Sequence, residues 1–142
     1  MSAEPKRSFR DLKVWQEGCA LAVAIYQLTA KFPREEAYGL TSQMRRSAVS
    51  VPANIAEGRA RQGRGEFLQF LHIAAGSLAE LETYVQVTSP LGYATPAQLA
   101  PIQQSVNEVG KMLYGLIAKV KGARDQSNSR TADQPPIASQ QQ

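Results

Sequence analysis

The sequence contains a single cysteine, Cys19, and a single histidine, His72. One cysteine cannot form an internal disulfide, which is typical of proteins of the reducing cytosol. One histidine excludes a His-His metal pair, and no cysteine and histidine have the spacing of a zinc site. No apolar run is long enough to cross a bilayer, and the polar start of the chain lacks the features of a signal peptide. We therefore expect a cytoplasmic protein with no metal, no cofactor and no membrane partner.

Residue patterns that support catalysis are also missing from the sequence. No glycine-rich loop follows a strand, so the phosphate-cradling motifs have no structural context. Glu80 and Glu82 are two residues apart on a predicted helix and project to different sides, which is the wrong geometry for paired acid-base work. The sequence therefore predicts that the protein is not an enzyme.

The excess positive charge is concentrated in one segment of the chain. Residues 38–65 contain five arginines and a single acid, Glu57, and this local excess equals the net charge of +4 of the whole chain. Concentrated charge creates a local field that attracts a polyanion. The alternative is a solvated helix face with salt bridges. The candidate nucleic-acid-binding residues are Arg45, Arg46, Arg59, Arg61 and Arg64.

Apolar periodicity predicts an all-α fold, an antiparallel up-down four-helix bundle over residues 8–122. The helices are expected at residues 8–31, 34–63, 66–88 and 96–121. Thr95 should cap the fourth helix, with proline at its first position. Pro52 should bend the second helix, because it removes a backbone hydrogen bond. Residues 1–7 are expected to be flexible, and residues 123–142 to form a disordered polar tail.

The first helix carries two apolar stripes, which is more than one bundle seam requires. The second stripe lies either deep in the monomer or against another subunit, and on the latter interpretation it is a candidate oligomer interface. Its members are Val14, Leu21, Ile25 and Leu28. The fourth helix carries one regular seam, expected to be buried, of Leu99, Ile102, Val106, Val109, Leu113, Leu116 and Val120.

An ideal helical wheel separates the five arginines. Arg59 leans toward the core and would then need a carboxylate partner. Arg61 is expected to pair with Glu57 one turn away. Arg45 and Arg46 lie level with Glu82, and one of them is expected to pair with such a carboxylate. Arg61 and Arg64 are therefore the better candidates for an outside ligand.

Four segments together resemble a known family of bacterial four-helix bundle proteins, first noticed as reading frames inside intervening sequences of 23S rRNA genes. The segments, in order, are FRDLKVWQ, YQLTAKFPREEAYGLTSQMRRSAVSVPANIAEGRAR, EFLQFLHIAAGSLAELET and LGY. The resemblance implies an up-down bundle that assembles as a homopentameric ring. It also implies kinship with the accessory proteins of diversity-generating retroelements, which bind nucleic acid and a reverse transcriptase.

Two functional classes remain open at the level of the sequence. In the first, the protein is an oligomeric accessory factor that binds the phosphates of RNA or DNA through its arginine-rich helix, because the planar arginine fork can contact two oxygens. In the second, the bundle is a protein-interaction scaffold, for a reverse transcriptase or another partner, without direct contact to nucleic acid. A steep loss of nucleic-acid affinity with salt would favour the first class.

Overall fold

The computed structural model describes the backbone of residues 8–132 and the side chains of residues 8–122. Four helices dominate it: α1 (Lys13–Thr29), α2 (Leu40–Ala60), α3 (Arg64–Thr88) and α4 (Pro96–Ala132). Short 3-10 turns at Phe9–Asp11 and Arg34–Glu36 precede α1 and α2. No strand occurs in this part of the chain. The predicted all-α four-helix fold is confirmed.

The four helices form a closed, antiparallel square. α1 packs on α2 and α4, and α3 packs on the same two helices, whereas the diagonal pairs make no backbone contact over the described range. The hydroxyls of Ser50 in α2 and Ser77 in α3 lie 2.8 Å apart, and Thr88 at the end of α3 lies 3.8 Å from the sulfur of Met44 near the start of α2. Residue numbers therefore rise along one helix where they fall along its neighbour, which is the up-down arrangement.

A single apolar core runs through the centre of the square. Its fully buried members include Met44, Ile55, Leu71, Leu81 and Leu113. The predicted seam of α4 is correct through Leu113, but its last turns are not. Ile117 is buried, while Leu116 and Val120 are only partly buried. A straight helix has 3.6 residues per turn, so its buried side drifts away from a strict heptad pattern, and Ile117 takes the buried position that Leu116 was expected to have.

The structure confirms the predicted start of α4 but not its predicted end. The Thr95 hydroxyl accepts from the backbone N–H of Gln98 at 3.2 Å, and the Gln98 side chain accepts from the N–H of Thr95 at 2.9 Å, which is a capping box. The predicted start is therefore confirmed. The predicted end at Gly122 is wrong, because α4 continues to Ala132. One glycine inside a helix costs only about 1 kcal/mol, which does not force a stop.

Residues 123–132 were expected to belong to a disordered tail, and they continue the helix instead. The rest of that expected tail, residues 133–142, and the expected flexible N-terminus, residues 1–7, lie outside the described residues.

The first two helices also start later than predicted. Ser8 caps only a 3-10 turn, and the extended backbone of Leu12 separates that turn from α1. Residues 34–36 form a 3-10 turn, and α2 starts at Leu40, whose N–H donates to the Glu36 carboxylate at 3.0 Å. A carboxylate at a helix N-terminus satisfies a free N–H group and complements the helix dipole.

The stripe proposed as an oligomer interface belongs to the core of the monomer. Val14, Leu21 and Ile25 are buried, and Leu28 is partly buried against the core. The interface assignment is therefore wrong, because α1 packs on two neighbouring helices at once and needs a wide apolar face to do so. The other stripe reaches the surface instead, with Val23 57% and Tyr26 45% exposed. Its members are Phe9, Leu12, Trp15, Cys19, Val23 and Tyr26, and none of them is fully buried.

Pro52 and Gly58 of α2 pack closely against the two neighbouring helices. Pro52 is buried within α2 and lies against Gly18 of α1, where a Cβ atom would sit 3.4 Å from the proline Cβ. At the other side of α2, Gly58 lies so close to α3 that a Cβ atom would come within 2.6 Å of the Phe70 Cβ. Both residues of the SVPANIAEG segment thus have a packing role.

Candidate nucleic-acid interface

Contacts with the neighbouring helix α1 hold the side chain of Arg45 in place. Its Nε donates to the Thr29 hydroxyl at 2.9 Å, and its guanidinium donates to the carbonyl of Tyr26 at 3.3 Å. The guanidinium carbon also lies 4.5 Å from the centre of the Tyr26 ring. These contacts hold a cation at the C-terminal end of α1, where the helix dipole favours positive charge. The expected pairing with Glu82 is wrong, since Glu82 lies in the groove between α3 and α4.

Arg61 is held by two carboxylates across the short connection between α2 and α3. It forms ion pairs with Glu57 at 3.2 Å and with Glu66 at 3.6 Å, and its guanidinium lies 5.3 Å from the centre of the Phe70 ring. The predicted pairing with Glu57 is confirmed. Arg61 also has a second carboxylate partner that the sequence did not indicate, because Glu66 in the first turn of α3 reaches back over the connection.

Arg59 is partly buried and has no carboxylate partner. Within residues 8–122 both ion pairs involve Arg61, and the buried Nε of Arg59 has no hydrogen-bond acceptor. Its guanidinium lies 5.7 Å from the centre of the Phe67 ring. The predicted inward lean is correct, but the ring face of Phe67 stands where a carboxylate was expected.

Arg46 and Arg64 are exposed, and neither forms an ion pair with a residue of the described range. Arg46 borders a polar groove between α2 and α3, together with Ser50 and Glu80. The hydroxyl of Tyr84 donates to Glu80 at 2.7 Å, and this hydrogen bond to a carboxylate raises the pKa of Tyr84. Arg64 is the first residue of α3. The five predicted arginines therefore divide into anchored and available side chains.

The antiparallel order of the helices collects more basic side chains at one end of the bundle than the five arginines of the sequence segment. The start of α1, the end of α2, the start of α3 and residues 119–121 of α4 lie at the same level. Four acids lie there, Asp11, Glu17, Glu57 and Glu66. Seven basic residues lie at the same level, and we call this end of the bundle the basic end: Arg10, Lys13, Arg59, Arg61, Arg64, Lys119 and Lys121.

The opposite end of the bundle carries a smaller excess, with Lys31, Arg34 and Arg45 against Glu35 and Glu36. Arg10, Lys13, Lys119 and Lys121 were missed from sequence, because they lie far from the arginine-rich segment along the chain. The predicted helix order could have identified them, because an up-down bundle brings the first residues of the first helix level with the last turns of the fourth. The charge of this protein is therefore polarised along the bundle axis.

Other chemistry-bearing side chains lie apart from the basic end. His72 is exposed on α3. Burial raises the pKa of the Cys19 thiol in α1. Residues 8–122 contain no group of three or more side chains that could hold a metal ion. No helix, as far as the structure describes the chain, is long and apolar enough to span a membrane.

Comparison with known proteins identifies a family and similar solved structures. The sequence model of the 23S rRNA-intervening sequence protein family matches residues 10–115. A crystal structure of a protein of unknown function from the S23 ribosomal protein family of Bacteroides thetaiotaomicron is 27% identical, with a TM-score of 0.66. The alignment covers 73% of this chain and 97% of that chain. No curated protein matches. The family match includes all five predicted arginines and ends before Lys119.

Proposed function

Because this chain belongs to the 23S rRNA-intervening sequence protein family, we propose that it acts as a non-enzymatic, self-associating accessory protein that binds the phosphates of RNA or DNA. The observation that carries the proposal is the charge of the basic end, where seven basic residues meet four acidic ones, whereas the opposite end has three basic residues and two acidic ones. A positive field confined to one end orients a polyanion toward that end. The solved relative belongs to the S23 ribosomal protein family, and a nucleic acid is a partner that agrees with that family name.

Arg64 is the side chain best suited to the first phosphate contact. It is exposed at the start of α3, and no described carboxylate lies within ion-pair distance of it. The helix cap there is Gly63, which has no side chain to satisfy the first N–H groups of α3. Lys119 and Lys121 add exposed charge from α4. Arg61 can contribute as well, because surface ion pairs such as its own exchange easily for a phosphate.

The aromatic side chains at the basic end favour backbone contact over base recognition. Arg10, Arg59 and Arg61 lie over the rings of Phe9, Phe67 and Phe70. A ring face covered by a guanidinium is not free to stack on a base, and stacking is the main way in which proteins hold single strands through their bases. We therefore expect binding with little sequence preference and a steep dependence on salt.

Self-association would strengthen this binding. One bundle offers only a few available cations, and contacts that are weak alone become useful when they are repeated. The family resemblance implies a homopentamer, and cyclic symmetry brings the same end of every subunit to the same face of a ring. The basic ends would then form one continuous positive face.

The test compares two double variants with the same change in charge. R64Q/K119Q neutralises two exposed cations at the basic end, and K31Q/R34Q neutralises two at the opposite end. We expect the first to weaken binding of a single-stranded RNA and of a duplex DNA at least about tenfold, and to flatten the salt slope by about 0.9 for each phosphate contact removed from duplex DNA. The control should change affinity by less than about twofold. Equal effects of the two variants would move the site away from the basic end.

A protein-interaction scaffold is the second candidate function. The groove between α1 and α2 supports it, because it combines the apolar side chains of Tyr26, Ala37 and Val49 with hydroxyl groups and two arginines, a mixture that is typical of protein interfaces. By resemblance, a reverse transcriptase is one such partner. If the wild-type protein bound neither RNA nor DNA at low salt, the scaffold would be the better account.

A further inference from the structure

A groove of about 460 Å³ runs between α3 and α4 at mid-height of the bundle. Its walls include small residues, Ala75 and Ala79 on α3 and Gly110 on α4, and its floor consists of the core residues Leu78 and Val106. Small-molecule sites in proteins have volumes of about 300–1,000 Å³ and mostly apolar walls, and in helix bundles they lie between the helices. This groove, which we call the α3–α4 groove, therefore has the volume and the lining of a small-molecule site.

The register of α3 and α4 orders the other residues along the α3–α4 groove. A Cβ atom on Gly110 would lie 3.5 Å from Cδ2 of Leu78, so these two positions are level with each other. Because the helices are antiparallel, Glu82 lies one turn to one side of this level and Tyr114 one turn to the other, roughly 12 Å apart along the bundle axis. Lys111 follows Gly110 and lies between them. A carboxylate, an ammonium group and an aromatic ring thus follow one another along the groove.

The two charged residues of the α3–α4 groove have no ion-pair partner within residues 8–122. Glu82 and Lys111 are both exposed and both line the groove, whereas the two ion pairs of that range belong to Arg61. They stand on facing helices, about one turn apart along the axis, and do not pair with each other. A molecule that carries both an ammonium group and a carboxylate can bridge them, because hydrogen bonds between charged groups are stronger than those between neutral ones.

Tyr114 and the small side chains opposite it offer apolar surface to an aromatic ring. The Tyr114 side chain lines the groove and is 59% exposed. Ala75 and Ala79 line the same groove from α3 and leave space in which a ring can lie on the helix surface. Aromatic rings pack favourably on one another at centroid distances of about 4.5–7 Å. The apolar part of a ligand therefore belongs toward Tyr114, and its charged part toward Glu82 and Lys111.

We propose that the α3–α4 groove binds an aromatic zwitterion, which is the chemistry of a free aromatic amino acid. The ring packs beside Tyr114, the ammonium group contacts Glu82 and the carboxylate contacts Lys111. An aromatic residue inside a peptide fits less well, because its amino and carboxyl groups are tied up in amides. The one acid and the one base that line the groove cancel, and the groove lies at mid-height of the bundle. The site is therefore separate from the basic end, and either kind of binding can fail alone.

The first experiment compares four small molecules by equilibrium dialysis against the full-length protein. L-Tryptophan carries the ring and both charges, and it should bind with a Kd on the order of 1 mM or below, as expected for a ligand of this size. Tryptamine lacks the carboxylate, indole-3-propionate lacks the ammonium group and L-leucine lacks the ring. Each of these three should bind at least about threefold more weakly than L-tryptophan, because each loses one of the contacts.

Two charge variants then locate each end of the ligand. Glu82→Gln should weaken the binding of L-tryptophan and of tryptamine by about three- to tenfold, but not that of indole-3-propionate, which has no ammonium group. Lys111→Gln should weaken the binding of L-tryptophan and of indole-3-propionate, but not that of tryptamine. Glu108→Gln is the matched control, because Glu108 is exposed on α4 and does not line the groove. It should leave the order and the size of all four affinities unchanged.

Filling the groove is the final test. Ala79→Leu places a larger side chain in the space of the ligand and should abolish the binding of L-tryptophan. Ala118→Leu, at an exposed position of α4 outside the groove, should leave that binding unchanged. Circular dichroism checks the fold of each variant, and the crossed pattern of the charge variants decides if Ala79→Leu loses helical content. Equal affinities for the four compounds, no binding of L-tryptophan about tenfold above the expected Kd, or wild-type binding in a folded Ala79→Leu protein would each overturn the proposal.

Discussion

Replacing Gly58 with alanine tests the packing of α2 on α3 most directly. The added Cβ would lie 2.6 Å from the Cβ of Phe70, 3.2 Å from Cδ1 of Phe67 and 3.4 Å from the carbonyl oxygen of Phe67. The Phe70 Cβ is fixed to the backbone, so a change of side-chain rotamer cannot relieve the contact. One of the two helices has to move away from the other.

Two opposing terms set the expected change in the free energy of unfolding. Alanine is favoured over glycine inside a helix by about 1 kcal/mol. Overpacking that displaces backbone costs about 1–3 kcal/mol, and the steric contact here lies at the severe end of that range. We therefore expect Gly58→Ala to lower the free energy of unfolding by about 1–2 kcal/mol.

Urea unfolding followed by far-ultraviolet circular dichroism measures this change, at one fixed protein concentration. Gly76→Ala is the matched control, because Gly76 is exposed inside α3 and an added Cβ would meet nothing within 4 Å. Only the helix-propensity term then applies, and the control should gain about 0.5–1 kcal/mol. If Gly58→Ala is as stable as the wild type or more stable, the contact between the added Cβ and Phe70 does not force the two helices apart, and the reasoning is refuted.

Two further changes probe local features of the bundle. Thr95→Ala removes the hydroxyl half of the capping box and should lower the free energy of unfolding by about 1 kcal/mol in the same urea assay, whereas Thr95→Ser should retain most of it. Because burial raises the pKa of Cys19, iodoacetamide should label the folded protein more slowly than the unfolded chain at mildly alkaline pH. The stability that the protonated thiol contributes should be present below the ordinary thiol pKa and be lost as the pH rises through the raised one.

The sequence predicted the helices well where apolar periodicity was long and unbroken. α3 and α4 each present an inward face at steps of three and four residues, and their buried residues follow that pattern through Leu113. The connections were predicted less well. The backbone of Gly39 leaves the helical region, and the N–H of Leu40 donates to the Glu36 carboxylate, so α2 starts only at Leu40. Hydrophobic patterning registers neither feature.

Arginine pairing was predictable only when the partner was local in sequence. Glu57 and Arg61 are four residues apart on one helix, so their ion pair followed from helix geometry. Arg45 instead contacts Tyr26 and Thr29 of another helix, and that choice depends on how the two helices rotate about their axes. Single-helix angles do not determine that rotation, so the roles of individual arginines had to come from the structure.

The tight pairing of α2 with α3 also has a kinetic consequence. These two helices are joined by only three residues, and they share the most extensive helix contact in the described chain. Contacts that are close in sequence cost little loop-closure entropy, so this hairpin is the part of the bundle that should form earliest during folding. Arg59, Arg61 and Arg64 all belong to it. The nascent hairpin would therefore present three of the seven basic side chains of the basic end before α1 and α4 dock.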